Sequence, residues 1–120
     1  MNEFEAPVRA RGAMAIVDLA GVIDGQADAA LDAAYDQCAA QAAQTVALDF
    51  TRVEYINSTG IALLVSLLAK ARRDGRPVVA WGLTDHYREI FEITRLADFL
   101  EVVADEQAAE TVAGAATDEG

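Results

Sequence analysis

The chain has 120 residues, of which 53% are apolar and 24% charged, so it can bury one hydrophobic core and is too short for two ordinary domains. Nine basic residues against twenty acidic ones leave a net charge of −11, which argues against a nucleic-acid partner and against direct insertion into anionic membranes. The single cysteine, Cys38, excludes an internal disulfide and a multi-cysteine metal site and is expected to be a small buried residue.

The first third of the chain predicts a hairpin followed by a helix. Pro7–Arg11 and Ala13–Ala20 are short runs separated by Gly12, and the second alternates with the two-residue period of a strand. Gly21–Gly25 closes that strand, and the alanine-rich segment Gln26–Ala43 has the propensity of a helix.

Three aspartates of this helix, Asp28, Asp32 and Asp36, are spaced by four residues and therefore line one face. Each neighbouring like-charge pair costs about 0.2–0.5 kcal/mol. We expect this face to be solvated or to meet a basic partner.

The middle of the chain predicts a central strand at Thr45–Phe50, a short polar loop, and a helix that opens on Ser58 and Thr59 and continues to about Arg73. This helix has a wide apolar arc, whereas a helix that lies on one sheet usually has a narrower apolar face. We therefore expect part of the arc to be covered by neighbouring helices of the domain or by another protein. The arc comprises Ile61, Leu63, Leu64, Val65, Leu67, Leu68 and Ala71.

The remaining elements alternate strand and helix. They are a turn at Asp74–Pro77, a strand at Val78–Trp81, a helix through Tyr87–Thr94, a strand at Leu100–Val103 and a helix from Asp105. Residues 114–120 have nothing to bury and are expected to form a disordered acidic tail, which leaves one domain over residues 5–113. The element order β-β-α-β-α-β-α-β-α predicts an α/β (mixed α+β) fold with a four- to five-stranded mixed sheet and about four helices.

Catalytic constellations are scarce. His86 is the only histidine, and surface exposure at a helix start beside Asp85 explains it more simply than catalysis does. The glycine-rich loops GxGxxG and GxxxxGK[ST] are missing. Asp24 and Asp49 are the two acids expected near the helix start at Ser58. We predict no catalytic residue, no cofactor and no metal site, and hence no enzyme.

The longest apolar run, Ile61–Ala69, is well short of the roughly 20 residues of a membrane span. The N-terminal residues lack the basic start and apolar stretch of a secretory signal. We therefore expect a cytoplasmic protein.

Ser58 and Thr59 are adjacent hydroxyls at a predicted helix N-terminus. Ordinary capping accounts for such residues. The same position also accommodates phosphate, and a phosphorylated hydroxyl there adds roughly −1.5 to −2 charges without unfolding the helix. The residues alone leave both a capping role and a regulatory role open.

The run from Asp49 to Ile61 resembles the motif D-[FL]-x-x-V-x-x-[IM]-D-S-[ST]-G-[IL] of the STAS domain. This family comprises bacterial anti-sigma-factor antagonists (anti-anti-sigma factors) and a domain appended to sulfate transporters. Gly21–Asp24 is similar to the family's G-E-[IL]-D, and Phe91–Leu96 to its F-[DE]-[IL]-[ST]-[GR]-L. The resemblance spans about Pro7–Val112 and implies a STAS-like mixed sheet with helices packed on it.

This resemblance implies a partner switch that regulates transcription. In the family's antagonists, the serine that matches Ser58 is phosphorylated by an anti-sigma factor that is itself a serine kinase, and a PPM-type serine phosphatase removes the phosphate. The unphosphorylated antagonist binds the anti-sigma factor and frees the sigma factor. ATP and magnesium then belong to the kinase. Thr59 is a weaker second phosphate acceptor. The implied partner-binding surface comprises Asp24, Asn57, Ser58, Thr59, Gly60 and Ile61.

Two residues depart from the family pattern. Asn57 stands where the family has aspartate, and Val22 where it has glutamate. Asparagine caps a helix as well as aspartate does, so the geometry of the helix start is expected to survive. The alternative function is a STAS interaction module that is not phosphorylated and serves a transporter complex or a larger signalling assembly.

Overall fold

Five strands and four α-helices make up residues 4–118, which a computed structural model describes. The predicted order of elements and the α/β class are confirmed. Single turns of 3-10 helix lie at Gly25–Ala27 and Leu96–Asp98. The elements are β1 (Val8–Arg11), β2 (Met14–Ile23), α1 (Asp28–Ala40), β3 (Thr45–Ile56), α2 (Ser58–Arg73), β4 (Val78–Trp81), α3 (Asp85–Ile93), β5 (Glu101–Val102) and α4 (Glu106–Asp118).

The sheet is mixed, and its strands follow chain order from β1 to β5. β1 pairs antiparallel with β2 as the predicted hairpin, whereas β2, β3, β4 and β5 run parallel. Ile23 of β2 is in register with Ile56 of β3. The two longest strands therefore end side by side, and the residues that follow them emerge at the same edge of the sheet.

Helices cover both faces of the sheet, which explains why its strands are almost continuously apolar. Ala15, Val17 and Leu19 of β2 face a core shared with α1, α2 and α3. Met14 and Ile16, on the opposite face, belong to a smaller cluster that includes Ala109 and Ala113 of α4. The sheet is thus the middle layer, with three helices on one side and one on the other.

Cys38 is fully buried in the larger core, as expected. Removal of the thiol from water raises its pKa to about 11. The aspartate face of α1 is mostly solvated, but Asp32 forms a salt bridge with Lys70 of α2. The basic partner considered for this face is therefore supplied in part by the domain itself.

The strand β3 is twice as long as predicted, since it continues from Phe50 to Ile56 where a polar loop was expected. β4 ends at Trp81, which is opposite Asp49, so the extension of β3 after Phe50 pairs only with β2. Its polar side chains at Thr51, Arg52 and Glu54 are exposed. The polarity that suggested a loop instead marks a strand that has left the covered centre of the sheet.

Smaller differences concern element ends. The first helix begins after a 3-10 turn and spans Asp28–Ala40 instead of Gln26–Ala43, and the last strand shortens to Glu101–Val102. The final helix continues to Asp118, through a segment where a disordered tail was expected. Residues 119 and 120 of that expected tail lie outside the described residues.

An ion-pair network joins the first strand to the last helix. Arg9 Nε lies 2.6 Å from Asp18 Oδ2, and the Arg9 guanidinium also pairs with Glu106. Arg11 Nη1 lies 2.6 Å from Glu106 Oε2, and its Nε lies 2.9 Å from Glu110 Oε2. Hydrogen bonds donated by the two guanidinium groups lower the pKa of Glu106 to about 2.

We predict that Glu106→Gln lowers the free energy of unfolding by about 1 kcal/mol near pH 7, a modest value because solvent screens this accessible network. Since the folded pKa of Glu106 lies below its ordinary value of 4.5, the stabilisation is present above pH 4.5 and is lost as the pH falls toward 2. Urea unfolding across this range measures the difference. Glu89→Gln, at an exposed glutamate without a salt bridge among the described residues, is the control. A difference that stays constant down to pH 2 would refute the assignment.

Candidate functional site

The ends of β2 and β3 bring two of the predicted site residues to one edge of the sheet. Asp24 follows Ile23 and Asn57 follows Ile56, and these two isoleucines are register partners. The Asn57 N–H donates to the Ile23 carbonyl over 3.2 Å, which ties the start of α2 to the end of β2. Asp24 and Asn57 therefore lie next to each other in the fold, although 33 positions separate them in the sequence.

The N-cap of α2 is Asn57, not Ser58 or Thr59. Its backbone is extended (φ −91°, ψ −179°), and its Oδ1 accepts a hydrogen bond of 2.8 Å from the Gly60 N–H. The Asn57 carbonyl accepts the first intrahelical bond, from Ile61. The capping role considered for Ser58 and Thr59 is thus wrong, because a better-placed amide already occupies that position.

The side chains of Ser58 and Thr59 are both exposed and lie in the first turn of α2. Within the described residues, neither hydroxyl is engaged in a hydrogen bond. The first turn itself contains no acidic residue, so no side chain within it neutralises the positive end of the helix dipole. The site therefore presents two accessible hydroxyls at a position that favours added negative charge.

Gly60 lets the helix approach the strand closely. A Cβ at this position would lie 2.0 Å from the Ile23 carbonyl oxygen and 2.8 Å from its carbon, a distance that no side chain tolerates. Gly25, after the end of β2, lies against Thr59, since a Cβ there would be 3.5 Å from Thr59 Cγ2. Asp24 Oδ1 accepts a 2.9 Å bond from the Gln26 N–H and so fixes the intervening turn.

These contacts divide the predicted surface into exposed and supporting residues. Ser58 and Thr59 are exposed, Asp24 and Asn57 are partly exposed, Ile61 is partly buried and Gly60 is buried. Gly60 and Ile61 therefore contribute by holding the first turn of α2 against β2.

Asp49 is not part of this site, which corrects the expectation that it lies near Ser58. It is in register with Asp18 and Trp81 in the middle of the sheet, and its Oδ1 accepts a bond from the Thr51 N–H. Ile56 lies seven positions after Asp49 along the strand, or about 23 Å at 3.3 Å per residue. The error follows directly from ending the predicted strand too early.

Tyr87 of α3 supports the site in a way that the sequence analysis missed. Its hydroxyl accepts a 2.9 Å hydrogen bond from the buried Ile56 N–H, at the last residue of β3. Thr84 Oγ1 in turn caps α3 by accepting from the Tyr87 N–H over 3.3 Å. A tyrosine at a buried helix position was the available signal, because its hydroxyl requires a partner there.

Tyr55 is a second residue that sequence reasoning did not single out. Its side chain is 55% exposed, and it lies two positions before Asn57. Its register partner on β2 is Val22, one of the two departures from the family pattern. Exposed aromatic side chains are enriched at protein interfaces, so Tyr55 is a candidate contact residue in its own right.

No group of three His, Cys, Asp or Glu side chains in residues 4–118 is arranged to hold a metal ion. His86 is exposed at the start of α3, and its ring meets that of Tyr87 edge to face at 5.0 Å. None of the described helices combines the length and apolar character needed to cross a membrane.

Comparison with known families gives a match to the family model described as "Mlab, STAS domain" over residues 7–103. The anti-sigma-B factor antagonist of Listeria monocytogenes is 36% identical over 55 residues, which are 46% of this chain and 48% of that protein. The chain thus spans about half the length of the curated relatives it matches.

Three solved structures illustrate the shared fold. The anti-sigma factor antagonist SpoIIAA in its unphosphorylated form has a TM-score of 0.70 at 17% identity, covering 93% of this chain and 99% of that one. The phosphorylated form of SpoIIAA, from Bacillus, has a TM-score of 0.67 at 18% identity, covering 92% and 99%. A sulfate transporter family protein from Wolinella succinogenes has a TM-score of 0.79 at 16% identity, covering 92% of each chain.

We predict that Gly60→Ala destabilises the domain by about 3 kcal/mol, because the added methyl group would force α2 away from the Ile23 carbonyl. Gly114→Ala is the matched control. Its Cβ would meet nothing within 4 Å, and replacing a helical glycine by alanine stabilises by up to about 1 kcal/mol. Urea unfolding of both variants tests the pair, and an unchanged Gly60→Ala protein would show that the close approach is not structural.

Tyr87→Phe is expected to lower the free energy of unfolding by about 1–3 kcal/mol, because it leaves the buried Ile56 N–H without its acceptor. Tyr55→Phe removes the same hydroxyl from an exposed ring and should change stability by less than about 0.5 kcal/mol. Thermal or urea denaturation measures both. Equal stabilities of the two variants would mean that the Tyr87 hydroxyl does not support the strand.

Proposed function

Because the chain belongs to the STAS-domain family, we propose that it is an anti-sigma-factor antagonist that acts as a partner switch. In this proposal the unphosphorylated protein binds an anti-sigma factor with serine kinase activity, and phosphorylation of Ser58 ends that binding. The observation that carries the proposal is the state of the Ser58 hydroxyl. Ser58 is the exposed first residue of α2, and its hydroxyl is not needed as a cap because Asn57 Oδ1 accepts the capping hydrogen bond.

The placement of Ser58 favours a switch that changes charge without changing fold. A phosphate there adds roughly −1.5 to −2 charges close to the positive end of α2. The cap bond from Gly60 to Asn57 does not involve Ser58, so phosphorylation leaves it intact. Loss of binding would then result from negative charge and bulk facing the partner.

The surface around Ser58 supplies the rest of the proposed interface. Thr59 follows Ser58 in the first turn of α2, and Asp24 follows the adjacent strand end. Tyr55, three positions before Ser58, is an exposed aromatic residue. Thr59 is the second candidate acceptor, since its hydroxyl is equally free of hydrogen bonds within the described residues. Its contact with Gly25 places it closer to the turn after β2.

The names of the relatives support this assignment. One is an anti-sigma-B factor antagonist, and another, SpoIIAA, has been solved both without and with phosphate. We infer by analogy that an anti-sigma factor serine kinase phosphorylates Ser58 and binds the ATP and magnesium that this reaction needs. A PPM-type serine phosphatase would remove the phosphate. The antagonist would have no catalytic residue of its own.

We predict that Ser58→Asp weakens binding to the cognate anti-sigma factor at least about tenfold, which is about 1.4 kcal/mol. Ser58→Ala should bind within about threefold of the wild type. The melting temperatures of both variants should match that of the wild type, because Ser58 is exposed and does not cap the helix. Isothermal titration calorimetry and thermal denaturation measure these quantities. Wild-type affinity in Ser58→Asp would contradict the switch.

Asn57 favours one alternative, a STAS interaction module that is not phosphorylated, as part of a transporter complex or a larger signalling assembly. It lacks the charge that the family motif places next to the serine, and a sulfate transporter family protein shares the fold. Incubation with the anti-sigma kinase and ATP, followed by intact-mass measurement, separates the two functions. Addition of one phosphoryl group to the wild type but not to Ser58→Ala supports the switch. Phosphorylation of Asn57→Asp alone would support the alternative.

A further inference from the structure

A groove lies beside the C-terminal half of α2, away from Ser58. It has a volume of about 400 Å³ and runs between α2 and the segment that follows α3. Arg72, which lines it, follows Ser58 by fourteen residues, or about 21 Å along the helix at 1.5 Å per residue. The groove is therefore separate from the surface proposed for the switch.

The groove exposes apolar side chains that a soluble domain usually covers. Val65 and Phe99, which line it, are 48% and 47% exposed, and Leu68 and Leu96 form its buried floor. Ile93, the most exposed large apolar residue described, directly precedes a lining residue. Single exposed apolar residues are ordinary, but a cluster of them marks an interaction site. Val65 is the one exposed member of the wide apolar arc of α2.

Positive charge surrounds these apolar side chains. Arg72, Arg73 and Arg95 all line the groove, and they are three of only nine basic residues in a chain of net charge −11. Asp98 balances part of this charge, since its Oδ2 lies 2.8 Å from Arg95 Nε. The Arg72 guanidinium lies over the Phe99 ring, 5.2 Å from its centroid.

The backbone of Arg95 is unusual, with φ at +67° in the left-handed region. A residue other than glycine costs of order 1–3 kcal/mol in such a conformation. Glycine would adopt this conformation without that cost. Arg95 therefore occupies a backbone position better suited to glycine, and it lines the groove.

We propose that this groove binds an acidic amphipathic helix of another protein. Apolar side chains of that helix would pack between Val65 and Phe99, while its carboxylates would meet Arg72, Arg73 and Arg95. The lining stretch of α2 from Val65 to Arg73 is about 12 Å long, which matches about two turns of a bound helix. We choose an acidic partner because three arginines line the groove, whereas the chain as a whole has a net charge of −11.

A second copy of this chain fits the groove poorly. The acidic face of α1 would supply carboxylates, but the exposed large apolar residues described are Tyr55, Val65, Ile93 and Phe99, and none of them lies on that helix. Two chains of net charge −11 also repel each other. The expected partner must therefore bring both its own carboxylates and its own apolar anchors.

The test uses a fluorescent synthetic peptide with leucines at positions i, i+3, i+4 and i+7 and glutamates on its polar face. A matched peptide carries lysines in place of the glutamates. Fluorescence anisotropy should show that the glutamate peptide binds the full chain and that the lysine peptide does not. Amide NMR shifts should centre on Val65 and Phe99. Absence of glutamate-peptide binding, equal binding of both peptides, or shifts centred on Ser58 would each overturn the proposal.

Variants locate the interaction. Arg72→Glu combined with Arg95→Glu should weaken glutamate-peptide binding at least about tenfold, which is about 1.4 kcal/mol. Arg52→Glu combined with Arg88→Glu makes the same charge change at exposed residues outside the groove and should leave binding within about twofold. Val65→Glu, at an exposed site, should also abolish binding. If the two double variants behave alike, the groove is not the site.

Further measurements distinguish other occupants. Ser58→Asp should not affect glutamate-peptide binding, so the outcome is independent of the proposed switch. Dodecanoate that displaces the glutamate peptide, with the same dependence on Arg72 and Arg95, would overturn the proposal in favour of a small amphiphile. Self-association in sedimentation velocity that is lost in the Arg72→Glu, Arg95→Glu variant would overturn it in favour of a second copy.

Discussion

The contact between Gly60 and the Ile23 carbonyl is the constraint on which the site depends. Because glycine has no Cβ, the first turn of α2 lies directly against the end of β2, within a distance that excludes any side chain. The Asn57 N–H bond to the same carbonyl fixes the approach from the neighbouring residue. Two strand ends and one helix start are thereby held as a rigid unit. The orientation of Ser58 and Thr59 follows from this junction.

At this junction, the residues that support the backbone differ from the residues proposed to carry the function. Asn57 satisfies a backbone N–H of the helix, and Tyr87 satisfies the N–H of Ile56 at the strand end. The hydroxyls of Ser58 and Thr59 make no hydrogen bond among the described residues, although both residues lie between Ile56 and Gly60 in the chain. A side chain that supports no backbone group can be modified at little cost to stability. This separation makes a covalent switch compatible with a stable fold.

Local patterns predicted most of the fold, and the failures have a common cause. Apolar runs, glycines and helical periodicity gave the element order, because each acts over a few residues. The length of β3 was missed since the polar residues after Phe50 pair only with β2, a contact that no local pattern reveals. The misplacement of Asp49 followed from that error. Tyr87 was missed for the same reason, because its hydroxyl bonds a residue 31 positions away.

Within the site, the residue types were predicted but their roles were not. Serine, threonine and asparagine are all good capping residues, so sequence alone does not decide which of three neighbours accepts the bond. The extended backbone of Asn57 decides it, because from there its Oδ1 accepts the bond from the Gly60 N–H. The Arg9–Glu106 ion pair could not be predicted from local patterns either, because it forms only when the fold brings α4 next to β1.

The two ends of α2 are electrostatically distinct, and this bears on whether one small domain could bind the two proposed partners independently. Phosphate at Ser58 would lie about 21 Å from Arg72 along the helix, well beyond the screening length of about 8 Å at physiological ionic strength. Negative charge added at the N-terminal end therefore acts on whatever contacts Asp24 and Thr59, and has little effect at the arginine-lined groove. If both proposals hold, a protein held at the groove would remain bound while the partner proposed for Ser58 is released.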